Sequence, residues 1–389
     1  MTKINSDHRV GMQKNRSDDT METDRPNHPD DTEQIEGLDS EGRSWGDYPL
    51  DEMLIRSDSR TIHDVMRRIN QGRYVMDPDF QRDFIWPEGK QSKLIESVIM
   101  RIPLPVFYLA EDDEGRMVIV DGLQRLSTFD RFFNNKLKLQ LSDRSDLHGK
   151  SFSDLPPKFQ NRVEDCNLIF YVIDSKVPER ARLDIFERVN GGVPLTRQQM
   201  RNSLFMGKAT RFLKEEAQTE VFRQATGESL KTSTMRDREF VNRFCAFKIL
   251  TAGQYRRDDM DEFLAESLRN MNRQSDDELT QLSNAFRRGL DNNFLLFERH
   301  AFRKHTRGQE RRGVLNASLW DVMSTGLSRY TREQVEAGAD PLREAFHTLL
   351  ENEEFNIAIT YGPNDPHKVR HRFEASGTMM EDVLGAPTD

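Results

Sequence analysis

Asp121, Gly122, Gln124 and Arg125 stand together where a β-branched run, Met117-Val-Ile-Val, gives way at once to a helical pattern. Each could do something useful at such a junction. Asp121 suits an N-cap, and Gly122 lets the backbone approach a ligand with no Cβ in the way. The first amides of a helix point outward with the positive end of its dipole, which favours an anion such as a phosphate. Gln124 and Arg125 fall in that first turn, and an Arg fork can grip phosphate through two bonds. Behind them Leu126, Phe129, Phe132 and Phe133 recur at helical spacing, so the far side of the helix is expected to be buried. The stretch therefore reads as the phosphate-gripping turn of a nucleotide site. The plain alternative is a capped turn with Arg125 as a surface charge, because Asp-Gly is a common turn signal.

Two further polar knots carry an arginine each: Phe80-Gln81-Arg82 after Asp77-Pro78-Asp79, and Phe186-Glu-Arg188-Val-Asn190-Gly191-Gly192. The elements that must position all three can be read from periodicity. Residues 61 to 72 form a helix capped by Thr61, with Ile62, Val65, Met66 and Ile69 as its inner stripe. Residues 90 to 101 form a second helix, stopped by Ile102-Pro103-Leu104-Pro105. Residues 106 to 110 and 117 to 120 form a hairpin through the charged turn at 112 to 115, leading into the helix after Gly122. A strand at 167 to 173 and helices at 178 to 189 and 196 to 206 follow, with Thr196 as a cap. From about residue 208 every strong pattern is helical, and the aromatic stripes at 240 to 247 and 286 to 302 read as bundle core. The expected fold is α+β: an acidic leader over residues 1–48 that cannot fold alone, a mixed domain over 49–207 and an all-helical domain over 208–389.

The chain has 389 residues, a net charge of -9, and charged residues at 32% against 35% hydrophobic. No window approaches the length of a membrane span, and no apolar segment follows the first basic residues, so the expectation is a cytoplasmic protein. The acidic balance argues against a surface coated for nucleic acid while leaving room for a local basic groove. Cys166 and Cys245 lie in separate apolar runs and read as buried thiols. The nine histidines show no zinc spacing, and His367 with His371 reads as solvent-facing. No metal ligands are assigned. Arg303 to Arg307 with Arg311 and Arg312 form the one compact basic cluster, expected to be a solvated loop.

Asp79-Phe-Gln-Arg82 with Trp86, Ile102-Pro-Leu-Pro105, and Val120-Asp-Gly-Leu-Gln-Arg-Leu-Ser-Thr128 together resemble the N-terminal domain of GmrSD-type restriction endonucleases. The segment from Phe186 to Asn202 resembles that domain's second signature. The likeness covers roughly residues 50 to 205 and implies a ParB/sulfiredoxin-like fold. It also implies binding of a nucleoside triphosphate, and in the family its hydrolysis, within a defence system acting on foreign or modified DNA. By match, Asp121, Gly122, Gln124 and Arg125 would line the triphosphate, Asp121, Gln124 and Arg125 carrying any catalysis. Gln81 and Arg82 would approach from a second loop, and Arg188 and Asn190 from a third. Leu123 stands where the commonest form of the motif has a Gln, which weakens hydrolysis relative to binding. No His-Asn-His constellation follows residue 208, so the resemblance implies that any nuclease is on a separate subunit.

Three readings stand at this stage. The first is a nucleotide-dependent enzyme with Mg²⁺, the cation inferred from triphosphate chemistry, held by Asp121 or Asp79 directly or through water. The second is a ParB-like module that binds nucleotide without turnover and works through DNA or a protein partner. The third is a ParB-like nuclease, placed last because no tight carboxylate cluster stands out.

Overall fold

The computed structural model describes residues 35–36, 38, 55–76, 86–112, 114–189 and 196–387. Seven strands appear among them: β1 (Ile35–Glu36), β2 (Ile55–Thr61), β3 (Tyr74–Val75), β4 (Phe107–Glu111), β5 (Met117–Asp121), β6 (Asn167–Ile173) and β7 (Leu315–Asn316). Helices α1 (Ile62–Asn70), α2 (Glu88–Ile99), α3 (Leu123–Phe133), α4 (Pro157–Glu164), α5 (Glu179–Val189) and α6 (Arg197–Leu204) accompany the sheet. Beyond them lie α7 (Lys208–Ala217), α8 (Glu220–Thr226), α9 (Arg236–Ile249), α10 (Thr251–Gln254), α11 (Met260–Arg273) and α12 (Asp276–Phe297). The series ends with α13 (Ala317–Leu327), α14 (Arg332–Ala337), α15 (Ala339–Glu351), α16 (Glu353–Thr360) and α17 (Pro366–Leu384). The fold is α+β with an all-helical C-terminal region, and no described helix is long and apolar enough to cross a membrane.

Five strands form one sheet in the order β2-β6-β4-β5-β3. β4 and β5 are the antiparallel hairpin, β6 runs parallel to β4, and β3 runs parallel to β5. Side chains alternate across the sheet, and both faces are covered. On one face Phe107, Leu109, Ile119, Phe170 and Val172 bury against Ile62 and Val65 of α1, Ile95 and Val98 of α2, and Leu126 and Phe129 of α3. On the other, Ala110, Val118, Val120 and Ile173 bury against Ala181 and Phe186 of α5 and Met200 and Leu204 of α6. Each large apolar side chain so buried contributes about 1.5–3 kcal/mol.

The second core does not stop at the sheet. It runs on without a break through Phe240 and Phe244 of α9, Phe286 of α12 and Trp320 of α13, whose indole donates to Phe240 O at 2.8 Å. Residues 34 to 389 form one compact unit. Helix α6 sits at the joint. Arg201, 1% exposed, and Arg197 both reach Asp261 of α11, and Arg197 also reaches Asp184 of α5 at 3.0 Å. Deeper in the bundle Asp321 of α13, fully buried, takes a two-pronged bond from Arg243 of α9 at 2.8 and 2.6 Å and a third from Arg372 of α17 at 3.0 Å.

Several expectations are corrected. Ile35 and Glu36, inside the expected leader, pair with the two-residue strand Leu315–Asn316. The rest of that leader lies outside the described residues. Cys166 is only half-buried, while Cys245 is buried as expected. Arg303 is no solvated-loop residue: it is 1% exposed and donates to Ala301 O at 2.7 Å, Gly313 O at 3.1 Å, Thr226 O and Ser229 Oγ.

Candidate functional site

The strand-turn-helix of residues 117 to 133 forms where the pattern put it, but its geometry differs in detail. β4 and β5 pair with a shift: Leu109 faces Ile119, yet Tyr108 faces Asp121, so β5 accommodates one extra residue beside the turn. Such bulges re-aim the end of a strand. Asp121 ends β5, and the N-cap of α3 is Gly122, at φ 98° with no side-chain cap bond. The expectation of Asp121 as cap is thus corrected. An added Cβ at Gly122 would stand 2.8 Å from Phe107 Cε1 and closer still to Cδ1, so the position requires glycine for both conformation and space.

Leu126 N donates to Gly122 O at 2.9 Å, which closes the first helical bond. The amides of Leu123, Gln124 and Arg125 precede it and find no acceptor among the described residues. They are the orphan donors that every helix start leaves, here with no side chain to cap them.

Arg125 is not free to act as the first reading supposed. Its side chain is buried, one terminal nitrogen donating to Pro105 O and the other to Val106 O at 3.0 Å and Asp121 Oδ2 at 2.9 Å. The guanidinium lies 4.1 Å from the centre of the Phe107 ring. Burial pushes its pKa down from the ordinary arginine value, while the Asp121 carboxylate pulls it back up. Both terminal nitrogens thus hold protein: the start of β4, the end of β5 and the turn are tied at one point. Asp121 keeps about a third of its side chain exposed beside that tie.

Gln124 faces the other way. Its Oε1 accepts from Trp86 N at 3.0 Å, and the Trp86 carbonyl accepts from Gln91 Nε2 on α2 at 2.5 Å. Gln91 in turn accepts from Arg131 of α3 at 2.8 Å. Sequence reading missed this chain; the signal was there in Gln91 and Ser92, two polar residues on the inner stripe of α2 that need partners once buried.

The other predicted residues fall as follows. Gln81, Arg82 and Asn190 lie outside the described residues, as does Asp79. Their flanks are placed: β3 runs parallel to β5 with Val75 beside Val118, and Trp86 is bound to Gln124. Arg188 lies in the last turn of α5 with an exposed side chain. α5 packs on the sheet face opposite the one that α3 covers, so the structure does not bring Arg188 onto the same helix layer as the turn. The second signature does another job. Thr196 caps α6, its hydroxyl donating to Thr234 O at 2.7 Å, Gln199 donates to Ser233 O at 2.9 Å, and Gln198, Arg201 and Asn202 are buried in one hydrogen-bonded row.

Fold and site define a mixed α+β domain built around an uncapped, glycine-led helix start, fused through one core to a helical bundle. Residues 62–206 match the family model described as the GmrSD restriction endonuclease, N-terminal domain. The match associates these residues with restriction systems. No curated protein matches the chain.

Proposed function

We propose that this chain binds a nucleoside triphosphate at the β5–α3 turn, as a component of a restriction-type defence system acting on DNA. One observation carries the reading: three amides at the positive end of an eleven-residue helix have no acceptor among the described residues, behind a glycine that cannot be replaced. Phosphate oxygens are acceptors of the right charge for such a start. The family match supports the restriction context.

In this reading the amides of Leu123, Gln124 and Arg125 hold phosphate oxygens, and Arg125 acts by fixing the turn. Asp121 is the carboxylate nearest the turn. Gln81 and Arg82 are the proposed side-chain donors, with Asn190 as a further candidate. Mg²⁺ would arrive with the triphosphate, neutralising its charge and keeping most of its water shell; no group of three His, Cys, Asp or Glu able to hold a metal is present among the described residues. Leu123 packs its side chain toward the core under the sheet and offers no amide to orient water. That observation favours binding without turnover as the second reading. A separate nuclease or defence subunit is the partner we propose for either reading.

The test is equilibrium binding and phosphate release for ATP, GTP, CTP and UTP with Mg²⁺, with and without duplex DNA. Wild type is compared with Asp121→Asn and Gln124→Ala, both checked for folding by circular dichroism. Saturable binding weakened by either substitution supports the site, and accompanying turnover supports the hydrolase over the switch. Absence of binding to all four nucleotides by folded protein overturns the proposal.

A further inference from the structure

Three histidines lie in one row where the segment between α12 and α13 folds back on α15. The rings of His300 and His305 stack with centres 5.0 Å apart, and His347 of α15 meets His305 edge-on, also at 5.0 Å. Phe297 at the end of α12 and Phe346 of α15 pack on the same central ring, at 5.6 and 5.7 Å. All three imidazoles are half-buried, and the Nδ1 atom of His300 is shut off from solvent with no hydrogen-bond partner. Arg303 O can only accept, so the Nδ1 of His305, 2.9 Å from it, carries hydrogen, and Nε2 is where a further proton would go.

The surroundings supply little counter-charge for an imidazolium. Arg299 and Arg303 act on His300 as neighbouring cations, and Glu298 opposes them only weakly. The carboxylates of Glu344 and Glu351 on α15 are both taken by Arg307, and Asp340 of the same helix is taken by Arg343. Lys304 engages Glu36 of β1 at 2.6 Å, and α16 offers that lysine only the neutral Asn356 and Thr360. On α8, Glu220 pairs with Arg223 at 3.0 Å. Among the described residues no carboxylate is bonded to any of the three rings; the histidine with a carboxylate neighbour is His371, 3.9 Å from Glu354.

The titration of the rings agrees with this geometry. Burial first, then Arg299 and Arg303, hold the His300 imidazole below the ordinary histidine value. For His305 burial again comes first, the bond to Arg303 O pulls the other way, and His347 and His300 add to the fall. Neutral, the rings pack as an aromatic row; protonated, they become like charges about 5 Å apart, which disfavours the closed arrangement.

The segment they pin has structural weight. It carries Arg303, which holds the carbonyls of Ala301, Gly313 and Thr226, and Leu315, which pairs with Ile35 of β1. We propose that His300, His305 and His347 form a proton-operated latch: neutral, they hold residues 304–313 down on α15, and on protonation they release that stretch.

The direction follows from linkage. A histidine whose pKa is depressed in the closed state supports closure fully above the ordinary value of about 6.5, and that support is lost as pH falls through it. Each ring that takes its proton only in the open state favours opening by about tenfold per pH unit below that value.

Hydrogen exchange read by mass spectrometry on the full chain tests the latch, with labelling times scaled for the intrinsic effect of pH on exchange. In wild type, protection of residues 304–313 is expected to fall at least about tenfold between about pH 7.5 and about pH 5, with the β4–β5 hairpin unchanged. His305→Phe keeps a ring between Phe297 and Phe346 that takes no proton. His347 lines an open cleft of about 420 Å³, so His347→Gln removes the edge-on neighbour while sparing the core. Each variant is expected to cut the change to about threefold or less. Proton NMR of the ring Cε1–H atoms, assigned with these variants, is expected to show His305 titrating below the ordinary histidine value in wild type and higher in His347→Gln. Protection independent of pH in wild type, an undiminished pH dependence in both variants, or an equal fall in the β4–β5 hairpin overturns the latch. So does a His305 that titrates at or above the ordinary value.

Discussion

Substitution of Gly122 by alanine isolates what the turn demands. A residue with a Cβ in the left-handed region costs roughly 1–2 kcal/mol. Here the new methyl also meets Phe107, which cannot step aside: it is fully buried, its ring lies 5.3 Å from that of Phe170 on one side and 4.1 Å from the Arg125 guanidinium on another. Forcing a carbon into such packing adds about 1–3 kcal/mol. The two together give about 2–5 kcal/mol, a large share of the 5–15 kcal/mol or so that holds an ordinary domain folded. Urea unfolding followed by circular dichroism measures the loss. The same substitution in a Phe107→Leu background separates the parts: with the ring edge gone, the packing share shrinks by at least about 1 kcal/mol while the conformational share stays. A loss below about 1 kcal/mol, or an unchanged loss in the Phe107→Leu background, would refute the claim that glycine is required for space as well as conformation.

Other expectations follow from the same geometry. Arg303→Met leaves several carbonyls deep in the protein without a donor and is expected to cost more than about 2 kcal/mol, whereas Arg311→Gln, on the exposed part of the same cluster, stays within about 0.5 kcal/mol; urea midpoints compare them. Asp321→Ala strands two buried guanidinium groups and is expected to cost about 3–5 kcal/mol in the same assay. Gln124→Ala removes the acceptor of the Trp86 amide, so the tryptophan emission is expected to shift, read against a Trp86→Phe control. The Asp64 carboxyl is held well below the usual carboxylate range by Arg67 first, then Arg68 and Arg60. A depressed folded pKa gives stability that is present above the unfolded value near 4 and lost as pH falls through the folded one. Thermal melts from about pH 5 to about pH 2 are therefore expected to show a shrinking gap between wild type and Asp64→Asn.

Much of this fold was legible because apolar periodicity is a local signal. Met117-Val-Ile-Val followed by glycine and a Leu126, Phe129, Phe132 stripe could hardly be read otherwise, and Thr61, Thr196 and Asp276 marked helix starts within a residue or two. β2 escaped because Ile55-Arg-Ser-Asp-Ser-Arg-Thr61 is an edge strand, where alternating charges guard an open side and blur the apolar rhythm. α4 escaped for a similar reason: only Val163 of its eight residues is buried. The arginines were misread for a different cause. Nothing local separates Arg125 and Arg303, which neutralise clusters of backbone carbonyls, from arginines that face solvent; the carbonyls come from segments up to 77 residues away. The row Gln198, Arg201, Asn202, inside the segment that resembles the second signature, is the polar filling of a joint, a role set by what packs against α6 from β5, α9 and α11.

That joint has a consequence for how the chain comes into being. The core that begins on the sheet's second face runs on through connected buried residues to Met379 and Met380 in the last helix. A ribosome that has made the first 206 residues has therefore produced every strand of the five-stranded sheet and the helices α5 and α6 that cover its second face, but none of the bundle against which α6 packs in turn. Native burial of the outer side of α6 waits for nearly half the polypeptide still to be synthesised, and the nascent protein carries an unfinished apolar wall throughout that interval. Stopping translation near residue 206 is expected to yield a product that aggregates or is degraded.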